Sequence, residues 1–287
     1  MSGVAHRGGI GFERGGTLSD HALRLLSHEP LHTSVLATRV LGISGDPGAA
    51  ARAVFALLGG DPRFSVSADG LWSVGAAAPA RRRLRDESFV VVDVETTGGT
   101  PASGHRVTEI AAVCVENGEV KESFCTLVNP DRRIPGMITS LTGITNEMVA
   151  GAPRFHEVAD RLAEFLGGRV FVAHNAPFDW RFLCAEMERA TGMLPSGRQL
   201  CTVKLARKLL PQLPSRSLDG LALFYGLDIE ARHRALDDAV ATAHVLLRFM
   251  DALEERGIDD WEGVEILLGK RAPRRKRTST PRSMDQA

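Results

Sequence analysis

The stretch FVVVDVETTGGT, residues 89–100, constrains the fold of this chain more than any other feature. Four apolar residues, Phe89 to Val92, run directly into the carboxylates of Asp93 and Glu95, and small polar residues follow. An apolar run of this length, rich in valine and ending at a glycine, predicts a buried strand that reaches a sheet edge. Side chains alternate along a strand, so both carboxylates leave from the same face. Because unpaired carboxylates repel each other and resist desolvation, we expect a positive group between them.

The residues after this strand alternate between strand and helix patterns. Two strands are predicted about an Asn117-Gly118 turn, and further strands at 169–174 and 199–203. Helical stretches are predicted near 155–166, 217–226 and 235–255. Since the hairpin is antiparallel, the pattern predicts an α/β domain with a mixed sheet and helices on both faces.

A smaller set of elements precedes this domain. We expect a helix capped by Ser19 and closed by Pro30, then helices over 33–41 and 47–58, and a hairpin about Asp69-Gly70. Three short helices and a hairpin resemble a winged helix-turn-helix. The helix 47–58 offers nucleic acid one basic residue, Arg52, so protein docking or a scaffold role is favoured over DNA reading.

Composition shifts divide the chain into five segments. They are a flexible N-terminus (1–16), a winged-helix-like domain (17–75), a basic linker (76–87), the α/β domain (88–255) and a basic, disordered tail (256–287). The chain has 35 basic and 35 acidic residues; residues 270–287 hold seven basic and one acidic, which leaves 28 basic and 34 acidic elsewhere. A body with a net charge of −6 cannot hold nucleic acid by bulk charge, so binding there must be local or metal-assisted.

Export and membrane insertion are not expected. The apolar runs are too short to span a bilayer, and the first residues lack the apolar core of a signal peptide. Four cysteines are scattered without a C-x-x-C pair, which is typical of reduced residues in a cytoplasmic protein.

Two further acidic segments lie at predicted element boundaries, where α/β sheets build their sites. VAHNAPFDW ends a strand and places Asp179 in the first turn of a helix. HRALDDAVAT places His233 just before another helix, with Asp237 and Asp238 in its opening turn.

In this order, D-x-E with T-T-G, H-N-x-x-F-D and H-R-A-x-x-D resemble the motifs of the DEDDh 3′→5′ exonucleases. This is the DnaQ-like family, which includes the proofreading epsilon subunit of bacterial DNA polymerase III. The resemblance covers roughly residues 87–255 and includes the connecting segments LVNPDRRIP and LTGITNEMVAGAP. It implies a ribonuclease-H-like fold with a five-stranded mixed sheet.

The resemblance also implies a site with two Mg²⁺ or Mn²⁺ ions. By motif position, Asp93, Glu95 and Asp238 would ligate the ion that activates water. Asp93 would bridge to the second ion, and Asp179 would hold that ion directly or through water. His233 falls on the general base of the family. The residue types agree, since hard divalent cations prefer carboxylate oxygens and an imidazole can accept a proton at neutral pH.

Alternatives remain for several of these residues. Asp93 and Glu95 could pair with Arg106 or another cation, Asp237 is expected to be only a helix N-terminal acid, and His174 is expected to pack or orient its loop. By resemblance, the substrate-binding residues are the backbone of Thr96 and Thr97 together with Leu141, Asn175 and Phe178. Core packing is the alternative for Leu141 and Phe178.

The function that follows is a 3′→5′ exonuclease that hydrolyses single-stranded or frayed DNA ends to nucleoside 5′-monophosphates. RNA 3′-end trimming is an alternative, because the motifs do not separate ribose from deoxyribose. An adaptor that uses the fold as a nucleic-acid-binding platform is an alternative of another class. Proofreading would require a polymerase partner, whereas a stand-alone repair or clean-up nuclease is equally compatible with the sequence.

Overall fold

The computed structural model describes residues 8–14, 18–26, 29–61, 63–74, 83–228 and 232–269. Its strands and helices follow in chain order: β1 (Gly11–Arg14), α1 (Leu18–Leu26), β2 (Leu31–His32), α2 (Thr33–Leu41), α3 (Pro47–Leu58), β3 (Phe64–Val66), β4 (Leu71–Val74), β5 (Phe89–Thr96), β6 (Val107–Glu116), β7 (Glu119–Leu127), α4 (Gly136–Thr142), α5 (Asn146–Ala150), α6 (Phe155–Leu166), β8 (Val170–Ala173), α7 (Ala176–Thr191), β9 (Met193–Ser196), β10 (Gln199–Cys201), α8 (Thr202–Leu209), α9 (Leu218–Tyr225), α10 (Ala235–Glu254) and α11 (Trp261–Leu267).

A five-stranded sheet in the order β10-β8-β5-β6-β7 forms the centre of the larger domain. β8 runs parallel to β5 and to β10, whereas β5, β6 and β7 are antiparallel neighbours. Asn117 and Gly118 join β6 to β7 with positive φ angles of 54° and 75°, which suits the left-handed turn that a tight hairpin requires. The mixed sheet expected from the sequence is therefore confirmed.

The alternation of side chains along β5 divides the core into two layers. Phe89 and Val91 pack on one face in a cluster that includes residues of α8, α9 and α10. Val90, Val92 and Val94 pack on the other face, against α6 and α7. Helices therefore cover both faces of the sheet, and β5 is buried on both sides along its first half.

The N-terminal part has the three helices and the hairpin expected from the sequence. β2, β4 and β3 form a small antiparallel sheet in that order, and Trp72 on β4 is almost fully buried in a cluster with residues of α1, α2 and α3. Trp72 Nε1 donates a 3.0 Å hydrogen bond to Thr33 Oγ1, which satisfies the polar end of the indole. The winged-helix designation itself stays a prediction.

The segment boundaries differ from the sequence predictions in three places. Residues 11–14 of the expected flexible N-terminus form β1, which pairs antiparallel with β9. The end of the expected linker is packed: Leu84 is buried, and Arg85 forms ion pairs with Asp251 and Glu254 on α10. Residues 261–267 of the expected disordered tail form α11, in which Val264 is fully buried.

These differences share a physical cause. Each segment is too short or too irregular to show a periodic pattern, and each is stabilised by contacts with residues distant in sequence. Ser19 is a smaller correction, because α1 begins at Leu18 and Ser19 lies inside its first turn. The rest of the linker, residues 76–82, and the basic segment 270–287 lie outside the described residues. Within the described residues, no helix is both long enough and apolar enough to cross a membrane.

Candidate active site

β5 carries two carboxylates at the point where it leaves the core. Asp93 and Glu95 are half-buried, whereas the four residues before them are fully buried. Both follow the alternation that directs Phe89 and Val91 towards the face covered by α10. The prediction that the two acids share a face is consistent with this arrangement.

Asp179 reaches β5 from the opposite layer. The chain turns into α7 through Asn175, which has a left-handed φ of 79°, and Pro177 lies in the first turn of the helix. Asp179 is buried, and its Oδ1 accepts a 3.2 Å hydrogen bond from the backbone amide of Val94. The contact anchors Asp179 beside the residue that separates Asp93 from Glu95.

The third acidic segment approaches from the α10 side. His233 has a left-handed φ of 60° immediately before α10, and its backbone N–H donates a 3.2 Å hydrogen bond to Asp238 Oδ2. Glu95, His233 and Asp238 each offer one ligand atom within 4.8 Å of one another. Asp237 does not belong to this group of three.

Burial makes the ionised form of these acids unfavourable. It raises the pKa of Asp93 to about 7, with a further increase from the charge of Glu109 and an opposing effect of Arg232. It raises the pKa of Glu95 to about 8, assisted by the charges of Asp93 and Glu109. The pKa of Asp179 also lies well above its usual range, because of burial and the nearby charge of Asp93. Such clustered shifts are typical of functional sites.

Two arginines near the site form ion pairs with carboxylates other than Asp93 and Glu95. Arg106, the alternative partner of Asp93 and Glu95, instead forms a two-pronged ion pair with Glu186, with bonds of 2.7 and 2.9 Å. Arg232 forms ion pairs with Asp238 and with Asp219 on α9. The sequence reading missed Arg232, because nothing in its local pattern separates it from a surface arginine.

A second residue missed from the sequence lies directly beneath the site. Glu109 on β6 is opposite Glu95 in the strand register and is buried. Its carboxylate accepts bonds of 3.1 and 2.6 Å from Arg234 and one of 3.0 Å from the backbone amide of Ala235. The signal available in the sequence was an acid within the apolar strand VTEIAAVCV, where a buried charge needs a partner.

The expected substrate-binding residues have different environments. Thr96 and Thr97 are buried, and the Thr97 amide donates a 2.8 Å hydrogen bond to the Arg106 carbonyl, so that N–H is satisfied within the protein. Leu141 on α4 is 53% exposed, so it is available for contact rather than part of the core. Phe178 is half-buried and packs against Phe182 with ring centroids 5.0 Å apart.

Asn175 occupies the N-cap position of α7, but its side chain makes no capping hydrogen bond and is exposed. The Asn175 side chain therefore does not cap α7, because its left-handed backbone differs from the extended backbone of a capping residue. His174 Nδ1 lies 2.9 Å from Thr202 Oγ1, and burial lowers the pKa of this histidine to about 4. The contact with Thr202 is consistent with the expectation that His174 packs or orients its loop.

The donors of the site fit a divalent cation. Glu95 and Asp238 supply carboxylate oxygens next to the His233 imidazole, and Asp93 and Asp179 supply more from the adjacent part of β5 and from α7. Oxygen-rich sites of this kind suit hard ions such as Mg²⁺ and Mn²⁺. A bound cation would also favour the ionised form of acids that burial otherwise neutralises.

Comparison with known proteins identifies the class to which this fold and site belong. Residues 90–246, more than half of the chain, match the RNase T family model, which is described as Exonuclease. The chain therefore belongs to the exonuclease family, and the matched residues extend from β5 into α10.

Particular relatives agree with this assignment. The chain is 38% identical over 188 residues to the DNA polymerase III subunit epsilon of Aquifex aeolicus, a match that covers 65% of this chain and 93% of that protein. It is 44% identical over 194 residues to a DNA polymerase III subunit epsilon-like protein of Rhodobacter capsulatus, covering 66% of this chain and 27% of that protein. The chain thus spans less than a third of the length of several curated relatives that it matches.

A solved structure of exonuclease X in complex with 5′ overhanging duplex DNA aligns with a TM-score of 0.50 and 31% identity. The alignment covers 63% of this chain and 99% of that one. The ribonuclease-H-like α/β fold expected from the sequence is therefore confirmed.

Proposed function

We propose that this protein is a metal-dependent 3′→5′ exonuclease that hydrolyses DNA from single-stranded or frayed 3′ ends and releases nucleoside 5′-monophosphates. The observation that carries the proposal is the convergence of four carboxylates and one imidazole from three separate segments of the chain. Membership of the exonuclease family and the polymerase epsilon relatives support the same reaction.

We assign two divalent cations, Mg²⁺ or Mn²⁺, to this cluster. Asp93, Glu95 and Asp238 would hold one ion, and Asp93 with Asp179 would hold the other. Two such ions, when bound, stabilise the negative charge that develops on the attacking and leaving oxygens of an in-line displacement.

His233 is the general base of the proposal. Its imidazole adjoins the carboxylate oxygens of Glu95 and Asp238, where it can accept the proton of an attacking water. The hydrogen bond between the His233 amide and Asp238 fixes the backbone from which the ring projects. Burial of the surrounding acids limits competing hydrogen bonds from bulk water.

The terminal nucleotide would lie between the end of β5 and the α4 helix. The backbone at Thr96 and Thr97 borders the carboxylates, and exposed Leu141 with half-buried Phe178 offers apolar surfaces on which a base can stack. Asn175 is an exposed polar group at the start of α7 that can reach the sugar or phosphate.

DNA is the preferred substrate, because the relatives include polymerase epsilon subunits and the exonuclease X structure holds duplex DNA. A proofreading or repair role would require a partner that supplies the damaged or mismatched end. RNA trimming and a platform role without catalysis are outcomes of the test.

The test is a gel assay of the purified chain on a 5′-labelled single-stranded DNA and the matching RNA. Each is run with Mg²⁺, with Mn²⁺, with chelator and with the Asp93→Ala variant. The proposal expects a ladder of shortened DNA products that requires both metal and Asp93. Faster shortening of RNA would overturn the proposed preference for DNA. If the folded protein shortens neither strand, the platform role is favoured.

A further inference from the structure

A cavity outside the carboxylate cluster is lined mainly by arginines. It has a volume of about 440 Å³, and its lining residues are Gly104, Arg106, Pro130, Asp131, Arg132, Arg133 and Arg189. We call these residues the arginine cavity. They come from three places in the fold: the loop before β6, the loop after β7 and the last turn of α7.

Two of the arginines are held by a buried carboxylate. Arg106 binds Glu186 with bonds of 2.7 and 2.9 Å, and Arg189 binds the same carboxylate at 3.1 Å. Glu186 is buried, and it also accepts a 3.3 Å hydrogen bond from the backbone amide of Val107. This carboxylate therefore fixes two guanidinium groups beside the cavity while neutralising only one of their charges.

The other two arginines keep donors available. Arg132 donates to the carbonyl of Gly104, which is a neutral acceptor. Arg133 is exposed and forms no ion pair with any residue in the described ranges. Asp131, the acid of the lining, is bound by Arg154 at 3.0 Å.

The cavity carries a surplus of positive charge in an otherwise acidic body. Together with Arg154, which binds Asp131, the four lining arginines face two carboxylates, those of Asp131 and Glu186, which leaves three uncompensated charges. Residues 1–269 as a whole carry a net charge of −6. A local surplus of this sign within a negative surface is the pattern expected of a phosphate-binding subsite.

The position of the cavity connects it to the carboxylate cluster. Thr97 exchanges hydrogen bonds with Arg106, of 2.8 Å from the Thr97 amide and 3.1 Å to the Thr97 hydroxyl. Thr97 lies two residues beyond Glu95, at most about 7 Å along an extended chain. Adding one strand spacing of about 4.8 Å places the Arg106 backbone, at the near side of the cavity, within about 12 Å of Glu95.

We propose that the arginine cavity binds phosphates of the nucleic acid strand upstream of its 3′-terminal nucleotide. The inference rests on the proposed exonuclease function, which brings a polyanionic strand to the end of β5. A strand that enters the site by its 3′ end carries one charge per nucleotide, so the arginine cavity lies beside the phosphates next upstream of the terminal one. Guanidinium groups suit this role, because their planar donors can bind phosphate oxygens in pairs.

The first experiment measures binding without cleavage. A 5′-fluorescent 12-nucleotide oligothymidylate is titrated by anisotropy in chelator, over a range of salt concentrations, with the wild type and the double variant Arg132→Gln/Arg133→Gln. Arg106 and Arg189 are left intact, because they neutralise a buried carboxylate. The matched control is Arg207→Gln, an exposed arginine on α8 beside β10, at the opposite edge of the sheet from β7.

Each phosphate contact to a single strand contributes about 0.7 to the slope of log affinity against log salt. The double variant should therefore reduce the slope by about 1 to 1.5 and weaken binding at low salt by roughly tenfold, whereas the control should match the wild type. An unchanged slope would overturn the proposal and favour an acidic protein as the occupant. An equal change in the control would also overturn it, because any lost positive charge would then weaken binding.

A second measurement separates this subsite from the cleavage site. In the gel assay, KM for the 12-nucleotide strand should rise about tenfold in the double variant, while kcat on that strand and both constants on a dinucleotide stay unchanged. An equal loss on the dinucleotide would overturn the proposal, because so short a substrate cannot reach the cavity. If the wild type cleaves nothing, the exonuclease function fails, but the binding titration still decides whether the cavity holds phosphates.

Discussion

The fold treats two groups of carboxylates near the end of β5 in opposite ways. Glu109 and Glu186 each accept a two-pronged bond from an arginine and a further bond from a backbone amide. Among the described residues, no arginine binds Asp93, Glu95 or Asp179, and Asp179 accepts only backbone amide bonds, whereas Asp238, the fourth acid of the site, is paired with Arg232. The first group is compensated, and the second is left for a cation.

The difference indicates which acids serve the structure and which serve the chemistry. A compensated buried ion pair holds two elements together: Glu109 joins β6 to the start of α10, and Glu186 joins α7 to the start of β6. Uncompensated acids destabilise the protein unless they are protonated or bind a cation. A fold that retains several of them at one point must have a partner for them.

The largest expected effect is a loss of exonuclease activity when one of the uncompensated carboxylates is removed. Asp93→Asn removes a carboxylate that is shared by both proposed ions, so we expect exonuclease activity to fall by about 10³-fold or more. The measurement is the single-turnover cleavage rate on single-stranded DNA with Mg²⁺. Asp237→Asn, on the same turn of α10 as Asp238 but outside the cluster, is the control and should remain active. Wild-type rates in Asp93→Asn would place Asp93 outside the chemistry.

The next effect is a loss of stability when one of the compensated carboxylates is removed. Glu109→Gln breaks the pair with Arg234 in a buried setting, so the free energy of unfolding should fall by about 2–4 kcal/mol, since Arg234 is partly exposed and retains some hydration. Urea unfolding measures this loss. Glu122→Gln is the control: the Glu122 side chain is 61% exposed, so its 3.0 Å pair with Arg169 should contribute less than about 1 kcal/mol. Equal losses of unfolding free energy in both variants would show that burial does not determine how much each ion pair stabilises the protein.

The β5 strand and the acids of the candidate site could be predicted from the sequence, whereas the arginine partners of the compensated acids could not. The run from Phe89 to Glu95 predicted a buried strand and a pair of acids on one face, because the two-residue period of a strand is a local property. The motifs then selected Asp179, His233 and Asp238. All of these residues carry their signal within a few positions of their own segment.

The compensating partners carry no local signal. Arg234 lies 125 residues from Glu109, and Arg106 lies 80 residues from Glu186, so only the folded sheet brings them together. β1 escaped prediction for the same reason, because its partner β9 lies far along the chain. The arginine cavity likewise depends on three distant segments and cannot be derived from any one of them.

A third prediction concerns the ions themselves. Because burial raises the pKa of Asp93 to about 7 and that of Glu95 to about 8, a binding cation must displace protons near neutral pH. Affinity for Mn²⁺ should therefore rise by about tenfold or more between pH 6 and pH 8. Calorimetric titration in two buffers of different ionisation enthalpy would count the protons released. An affinity that is flat over this range would mean that the acids are already ionised without metal.

The smallest expected effect is a change of stability with pH in the metal-free protein. Burial raises the pKa of Asp93 in the folded state to about 7, whereas the unfolded chain has the ordinary value near 3.8. Below the ordinary value the carboxyl is protonated in both states and carries no penalty. As pH rises towards 7, the unfolded chain loses this proton first, so the folded state loses stability, and the penalty is complete above about pH 7.

Asp93→Asn removes this penalty because an amide does not titrate. In chelator, the variant should melt above the wild type at pH 8, since each kcal/mol of penalty removed corresponds to roughly 2–4 °C in a chain of this size. The difference should shrink towards zero near pH 4. Thermal melts of both proteins at pH 4, 6 and 8 make the measurement, with Asp237→Asn as the matched control. A variant that melts below the wild type at pH 8 would place Asp93 with Glu109 and Glu186 among the compensated carboxylates.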